Sequence, residues 1–172
     1  MKLLRTLPIL LLIVISSCSK NGNTALIDQA NKAYAAKNTA DAAKLYEQFL
    51  RESPESPHAP KALYNLGSIY QTDAKNAPRA LEMYDRIATA FPKDSLAPKS
   101  LFVCGFLCAN VLNDTAKARR YYEKYLVEFA AADSNITKSV RLELQHLGKT
   151  PEQVLEELQK TSNATSANGH QD

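Results

Sequence analysis

Three cysteines and three histidines are the residues of this 172-residue chain best suited to chemistry on their own. Thiolates attack, oxidise or bind metals, and imidazoles bind metals or move protons. Their spacing supports little of this. Cys104 and Cys108 stand four residues apart in an apolar stretch, and an oxidising compartment would make a bridge between them conceivable. Successive turns of a helix, however, hold two such Cβ atoms farther apart than a relaxed disulfide wants. Both are therefore expected to be small buried side chains with free thiols. His58, His146 and His170 have no carboxylate or cysteine at ligand spacing, so no metal site is expected. Five glycines leave little room for a phosphate-cradling loop. Carboxylate neighbours such as Glu156 and Glu157 read as the solvated side of a helix. No catalytic residue and no cofactor emerge, and the expectation is a protein that is not an enzyme.

Cys18 stands in a different context. Met1 to Thr6 carries Lys2 and Arg5, and an apolar run from Leu7 to Ile15 follows, interrupted only by Pro8. At about nine residues against the roughly 20 needed to span a bilayer, this is the layout of a secretory signal and not of a permanent anchor. Ile15-Ser16-Ser17-Cys18 then resembles the lipobox of bacterial lipoproteins, an aliphatic residue and two small ones before the cysteine that becomes the lipidated first residue. That resemblance implies removal of residues 1–17 as a signal peptide and acylation of Cys18, with more than the two lipid signals that stable anchoring needs. Ser19-Lys20 is similar to the start of lipoproteins passed on to the outer membrane, which implies a lipid-anchored, periplasm-facing protein with residues 18–23 as lipidated cysteine and tether. The remaining chain suits one domain, and its charges are close to balance once Lys2 and Arg5 are gone. Nucleic acid is thereby disfavoured as a partner.

The elements that must carry any function announce themselves by repetition. Ala59-Pro60-Lys61-Ala62-Leu63-Tyr64 returns thirty-eight residues later as Ala97-Pro98-Lys99-Ser100-Leu101-Phe102, and Gly67 returns as Gly105. Ala42, Ala80 and Ala118 are each followed four residues on by Tyr46, Tyr84 and Tyr122. Each unit divides into two apolar periodicities of helical spacing separated by a polar turn, which predicts a helical hairpin. In the second unit the stripes are Leu63, Leu66, Gly67 and Tyr70, then Ala80, Leu81, Tyr84 and Ile87. Thr39, Asn76 and Asn113 or Asp114 are the expected caps of the second helices. Gly67 opposite Ala80, and Gly105 opposite Ala118, should let the two helices of a hairpin close, with aromatic rings filling the space between successive hairpins. Beyond the third unit Ile136, Val140, Leu144 and Leu147 form a further stripe, stopped by Gly148. Thr150-Pro151-Glu152-Gln153 reads as a capping box with proline at the first helical position.

Leu63, Leu66, Gly67, Tyr70, Ala80, Tyr84 and Pro92 together resemble the tetratricopeptide repeat. The joint from Pro54 to Lys61, repeated from Pro92 to Lys99, is similar to the long-repeat form in BamD-like and YbgF-like periplasmic proteins. The resemblance implies an all-α chain: a short right-handed solenoid of antiparallel helical hairpins with a C-terminal capping hairpin. The domain should span residues 24–161, with units at about 24–59, 60–97 and 98–132 and a cap at 133–161. Residues 162–172 lack apolar content and are expected to be disordered. Tetratricopeptide arrays bind along the concave face lined by the first helix of each hairpin, which nominates Lys61, Tyr64, Ser68, Gln71, Lys99, Phe102 and Phe106 as a partner-binding groove. Asp28 and Lys32 stand where a carboxylate-gripping clamp would want Lys and Asn, against capture of that kind. The implied function is a non-catalytic scaffold for other envelope proteins or peptides, held to the outer membrane through Cys18. The competing reading is an accessory ligand-binding lipoprotein of a nutrient uptake or secretion system.

Overall fold

Hairpin follows hairpin along the chain, each closed by a turn whose chemistry is local. The computed structural model describes the backbone of residues 20–168 and the side chains of residues 24–160. The signal peptide, Cys18 and the last four residues lie outside the described residues. Helices α1 (Lys20–Ala35) and α2 (Thr39–Glu52) make the first hairpin, α3 (Ala59–Gln71) and α4 (Ala77–Ala90) the second, α5 (Ala97–Asn110) and α6 (Thr115–Phe129) the third. Helices α7 (Ser134–His146) and α8 (Pro151–Asn168) follow, and the described residues contain no strand.

The caps fall close to the expected positions but not always on them. Asn38, not Thr39, accepts the Asp41 amide at the start of α2. Asn76 makes no side-chain cap; Asp73 instead accepts the Lys75 amide and sets up a short 3-10 turn, Ala74–Asn76, that leads into α4. Asp114 caps α6 by accepting from Lys117 at 2.8 Å, while Asn113 beside it takes the left-handed φ of 54° that turns the chain. The box before α8 forms as read: the Thr150 amide donates to Gln153 Oε1 at 2.9 Å and the Gln153 amide donates to Thr150 Oγ1 at 3.3 Å. The two proline joints share one device. Ser56 Oγ accepts the His58 amide and Asp94 Oδ1 accepts the Leu96 amide, so each side chain turns the chain two residues on, just ahead of the Ala-Pro start of α3 and α5.

Helices of 13 to 16 residues are marginal alone, so stacking must supply the stability. Each fully buried leucine or isoleucine such as Leu63, Leu101, Leu107 or Ile87 contributes about 1.5–3 kcal/mol, and the apolar faces of α1 to α7 merge into one core from Ile27 to Val140. The glycines act differently from expectation. A Cβ on Gly67 would meet the ring of Tyr84, and one on Gly105 the ring of Tyr122. The small residue thus makes room first for the tyrosine of the same hairpin, and the rings are packed within hairpins as much as between them. In the first hairpin Asn31 holds the small position, and there the Tyr46 hydroxyl donates to Asn31 Oδ1 at 2.8 Å.

Two boundaries shift. Residues 20–23 belong to α1, so the expected tether is already helical there. Residues 162–168, expected to be disordered, continue α8. Once the capping box has nucleated a helix each further residue adds a hydrogen bond, and neither proline nor glycine interrupts the chain between Glu152 and Asn168. Lack of apolar side chains decides what a helix packs against, not whether its backbone can continue. The capping role falls mainly to α7, whose Val140 is fully buried, whereas Leu155 and Leu158 of α8 remain 56% and 55% exposed. Among the described residues no helix is long and apolar enough to cross a membrane.

Candidate partner-binding face

The first helices α1, α3, α5 and α7 present side chains whose roles split into those that pack and those left to act. Tyr64 of α3 is half-buried and meets Tyr84 of its own hairpin edge to face at 5.4 Å. Phe102, one repeat later, is half-buried against Tyr122 at 6.2 Å. Both therefore pack within their hairpin while keeping part of their surface open. Lys99 reaches back over the Tyr64 ring, its Nζ 5.2 Å from the centroid, placing a cation on an aromatic face between α3 and α5. Lys61 is exposed.

Polar members of the expected groove are partly committed. Ser68 Oγ accepts from the Tyr34 hydroxyl of the preceding hairpin at 3.3 Å. Gln71 Oε1 accepts from the Tyr84 hydroxyl at 3.1 Å. A third such link runs deeper: Asn65, buried in α3, donates through Nδ2 to the Tyr46 hydroxyl at 2.7 Å, and Tyr46 passes its own proton toward Asn31. The Tyr34–Ser68 and Asn65–Tyr46 bonds join the first hairpin to the second, while Gln71–Tyr84 and Tyr46–Asn31 tie the two helices of one hairpin together. In the third unit Ala109 stands where Gln71 stands in the second, and among the described residues no group meets the buried Tyr122 hydroxyl in good hydrogen-bond geometry, Glu143 being the nearby acid. Burial, then the charge of nearby Glu143, pushes that phenol well above the ordinary tyrosine range, so it stays neutral.

Between α5 and α7 the face opens into a cleft of about 360 Å3 lined by Phe102, Val103, Phe106 and Leu142, with Gln71 and Glu143 at its polar edge. Phe106 is 38% exposed and Leu142 54%. The apolar stripe of α5 is satisfied without Phe106, because Leu101, Cys104, Leu107 and Cys108 are fully buried. Both cysteines are free thiols, and burial raises each above its ordinary value, which makes them poor nucleophiles.

Of the seven nominated residues, Tyr64 and Lys99 come together across α3 and α5, Gln71, Phe102 and Phe106 share the cleft, and Ser68 is tied to Tyr34. Sequence reasoning missed Val103 and Leu142. Leu142 could have been found, since it is the one leucine of α7 off the stripe of Ile136, Val140, Leu144 and Leu147. Among the described residues no three His, Cys, Asp or Glu side chains gather to hold a metal ion.

Residues 27–95, the first two hairpins and the joint after them, match the family model of the tetratricopeptide repeat. The crystal structure of the Sgt2 TPR domain from Aspergillus fumigatus is similar at a TM-score of 0.53 and 22% identity, covering 74% of this chain and 82% of that one. No curated protein matches the chain. The fold is that of a tetratricopeptide solenoid, all helical through the described residues.

Proposed function

We propose that the chain is a non-catalytic scaffold that holds a segment of another envelope protein along its first-helix face, tethered to the outer membrane by lipid on Cys18. The observation that carries the reading is the α5–α7 cleft, where half-buried Phe102 is joined by Phe106 and Leu142, which are 38% and 54% exposed, and Phe106 is the most exposed Phe or Tyr ring among the described residues. Exposed aromatic and aliphatic groups clustered with a polar edge, here Gln71 and Glu143, are what an interface uses as its anchor. Lys61 and Lys99 give that face positive charge, so the segment held there carries apolar side chains and acidic neighbours. The tetratricopeptide architecture supports the same reading, because stacked hairpins create an extended concave surface suited to partner segments. The anchoring half rests on Ile15 to Cys18, and the likeness of the two proline joints to BamD-like and YbgF-like proteins favours work in envelope assembly or maintenance.

Two experiments in the native cells test the two halves separately. A photo-crosslinking residue in place of Phe106 should yield one dominant adduct with a membrane-fraction protein, while the same residue in place of Val127, 85% exposed on α6, should yield none. Equal adducts at both positions would refute the cleft. Cys18→Ala should release the protein from the membrane fraction and abolish acyl labelling; unchanged retention and labelling would refute the anchor.

A further inference from the structure

A second pocket, away from the α5–α7 cleft, lies between α2 and α4 with Leu66 and Tyr70 of α3 also in its wall. It is small, about 210 Å3, and cations outnumber acids in it: Arg51, Arg79 and Arg86 against Glu47 and Glu82. Each glutamate stands four residues before an arginine of its own helix, Glu47 before Arg51 and Glu82 before Arg86, a spacing that commonly pairs them. Among the described residues neither pair forms, and the ion pair in this pocket is Arg79–Glu47. Glu47 is already engaged. Its Oε1 lies 2.6 Å from the Arg79 guanidinium and also accepts the Tyr70 hydroxyl, while Arg79 stacks 4.1 Å above the Tyr70 ring. With Glu47 and Arg79 neutralising one another, two guanidiniums and one carboxylate remain around the opening, and the balance is one positive charge.

The repeat shows that this opening is particular to the first junction. One unit later Asp85 and Lys117 stand where Glu47 and Arg79 stand, but Thr89 replaces Arg51 and Tyr121 replaces Met83. Tyr121 is half-buried against the core, near Cys104 and Asp85. The larger ring occupies the place that Met83 leaves open, and with Arg120 in the place of Glu82 the later junction sets three cations against Asp85 alone, so what distinguishes the first junction is the open space and not a larger number of cations.

We propose that this pocket binds a single carboxylate carried on a short branched apolar stem, the chemistry shared by the C-terminal leucine-type residue of a peptide and by a small aliphatic acid. The planar guanidinium fork fits a carboxylate with two parallel hydrogen bonds. One net positive charge matches one carboxylate better than a doubly charged phosphate. Leu50, Leu66 and Met83 give the stem an apolar wall.

The test uses the full chain and heteronuclear NMR of its arginine Nε and methionine methyl groups, with N-acetyl-leucine, N-acetyl-leucinamide, isovalerate and inorganic phosphate as probes. N-acetyl-leucine should shift Arg51, Arg86 and Met83 saturably, and the amide, which lacks the charge, should bind at least about tenfold more weakly. N-acetyl-leucine binding well above isovalerate assigns the site to peptide termini; comparable binding assigns it to small acids. Met83→Tyr, which copies the third unit, and Arg51→Gln with Arg86→Gln should each abolish the shifts without lowering the thermal midpoint, and Phe106→Ala should leave them intact. No saturable shift, equal binding of the amide, stronger binding of phosphate, or retained binding in either variant overturns the proposal.

Discussion

Gly105 lies against the ring of Tyr122 so closely that a Cβ added there would come within 2.3 Å of it, whereas the same addition at Gly67 would stand 3.0 Å from Tyr84. Replacing glycine by alanine inside a helix gains about 1 kcal/mol of propensity, and overpacking typically costs about 1–3 kcal/mol. At Gly67 the two effects nearly cancel. At Gly105 the approach is far inside contact distance and the opposing atoms belong to a buried ring, so the cost wins. Urea unfolding should find Gly105→Ala destabilised by about 1–2 kcal/mol and Gly67→Ala within about 0.5 kcal/mol of the parent. The reverse order would show that the tyrosines are not seated on the glycines.

The turn after α1 is closed by Lys37, which holds a φ of 60° while its amide donates to the Tyr34 carbonyl and the Asn38 amide to that of Ala33. A side chain in this left-handed region costs roughly 1 kcal/mol that glycine avoids. Lys37→Gly should therefore raise stability by about 0.5–1 kcal/mol, read from the shift of the denaturation midpoint. A loss of stability would mean that the lysine side chain does more than endure its backbone.

How much of this was legible can be judged at single positions. The recurrence of Tyr46, Tyr84 and Tyr122 in sequence predicted the hairpins, and the structure explains it: each ring crosses its hairpin to meet the first helix, at Asn31, Gly67 or Gly105. The identity of those contacts was not legible, because helical periodicity says which residues share a face and not which neighbour they touch. Caps were missed by one residue at Asn38 and three at Asp73, since several polar residues in a turn can each accept an amide and backbone geometry chooses among them. Leu142 was missed because α7 was read only as a lid, and the pocket at Arg51 and Arg86 depends on Glu47 choosing a partner two helices away over the arginine one turn on.

Helix α8 is tied down by Lys149, whose Nζ donates to both Glu157 oxygens at 2.8 and 2.7 Å. That hydrogen bond holds the Glu157 carboxyl below the usual carboxylate range. A carboxylate with a lowered folded-state pKa stabilises above its unfolded pKa and loses that contribution as pH falls through the folded value. The protection of the α8 amides, taken relative to the intrinsic exchange rate at each pH, should fall on acidification through the carboxylate range while that of α3 to α6 holds, and Lys149→Ala should produce the same loss of protection at neutral pH. Exchange of α8 that ignores both changes would show that the tie does not hold it.

The central claim is that the first-helix face grips a partner through Phe106, and one paired measurement on Phe106→Ala tests it most directly. Phe106 is 38% exposed and lines the α5–α7 cleft, while the packing stripe of its helix is complete without it. Affinity for the protein captured by crosslinking should fall at least about tenfold, as expected for an aromatic anchor, while unfolding free energy changes by less than about 1 kcal/mol. Undiminished affinity, or a stability loss of the about 3–5 kcal/mol that truncating a core phenylalanine costs, would contradict the account.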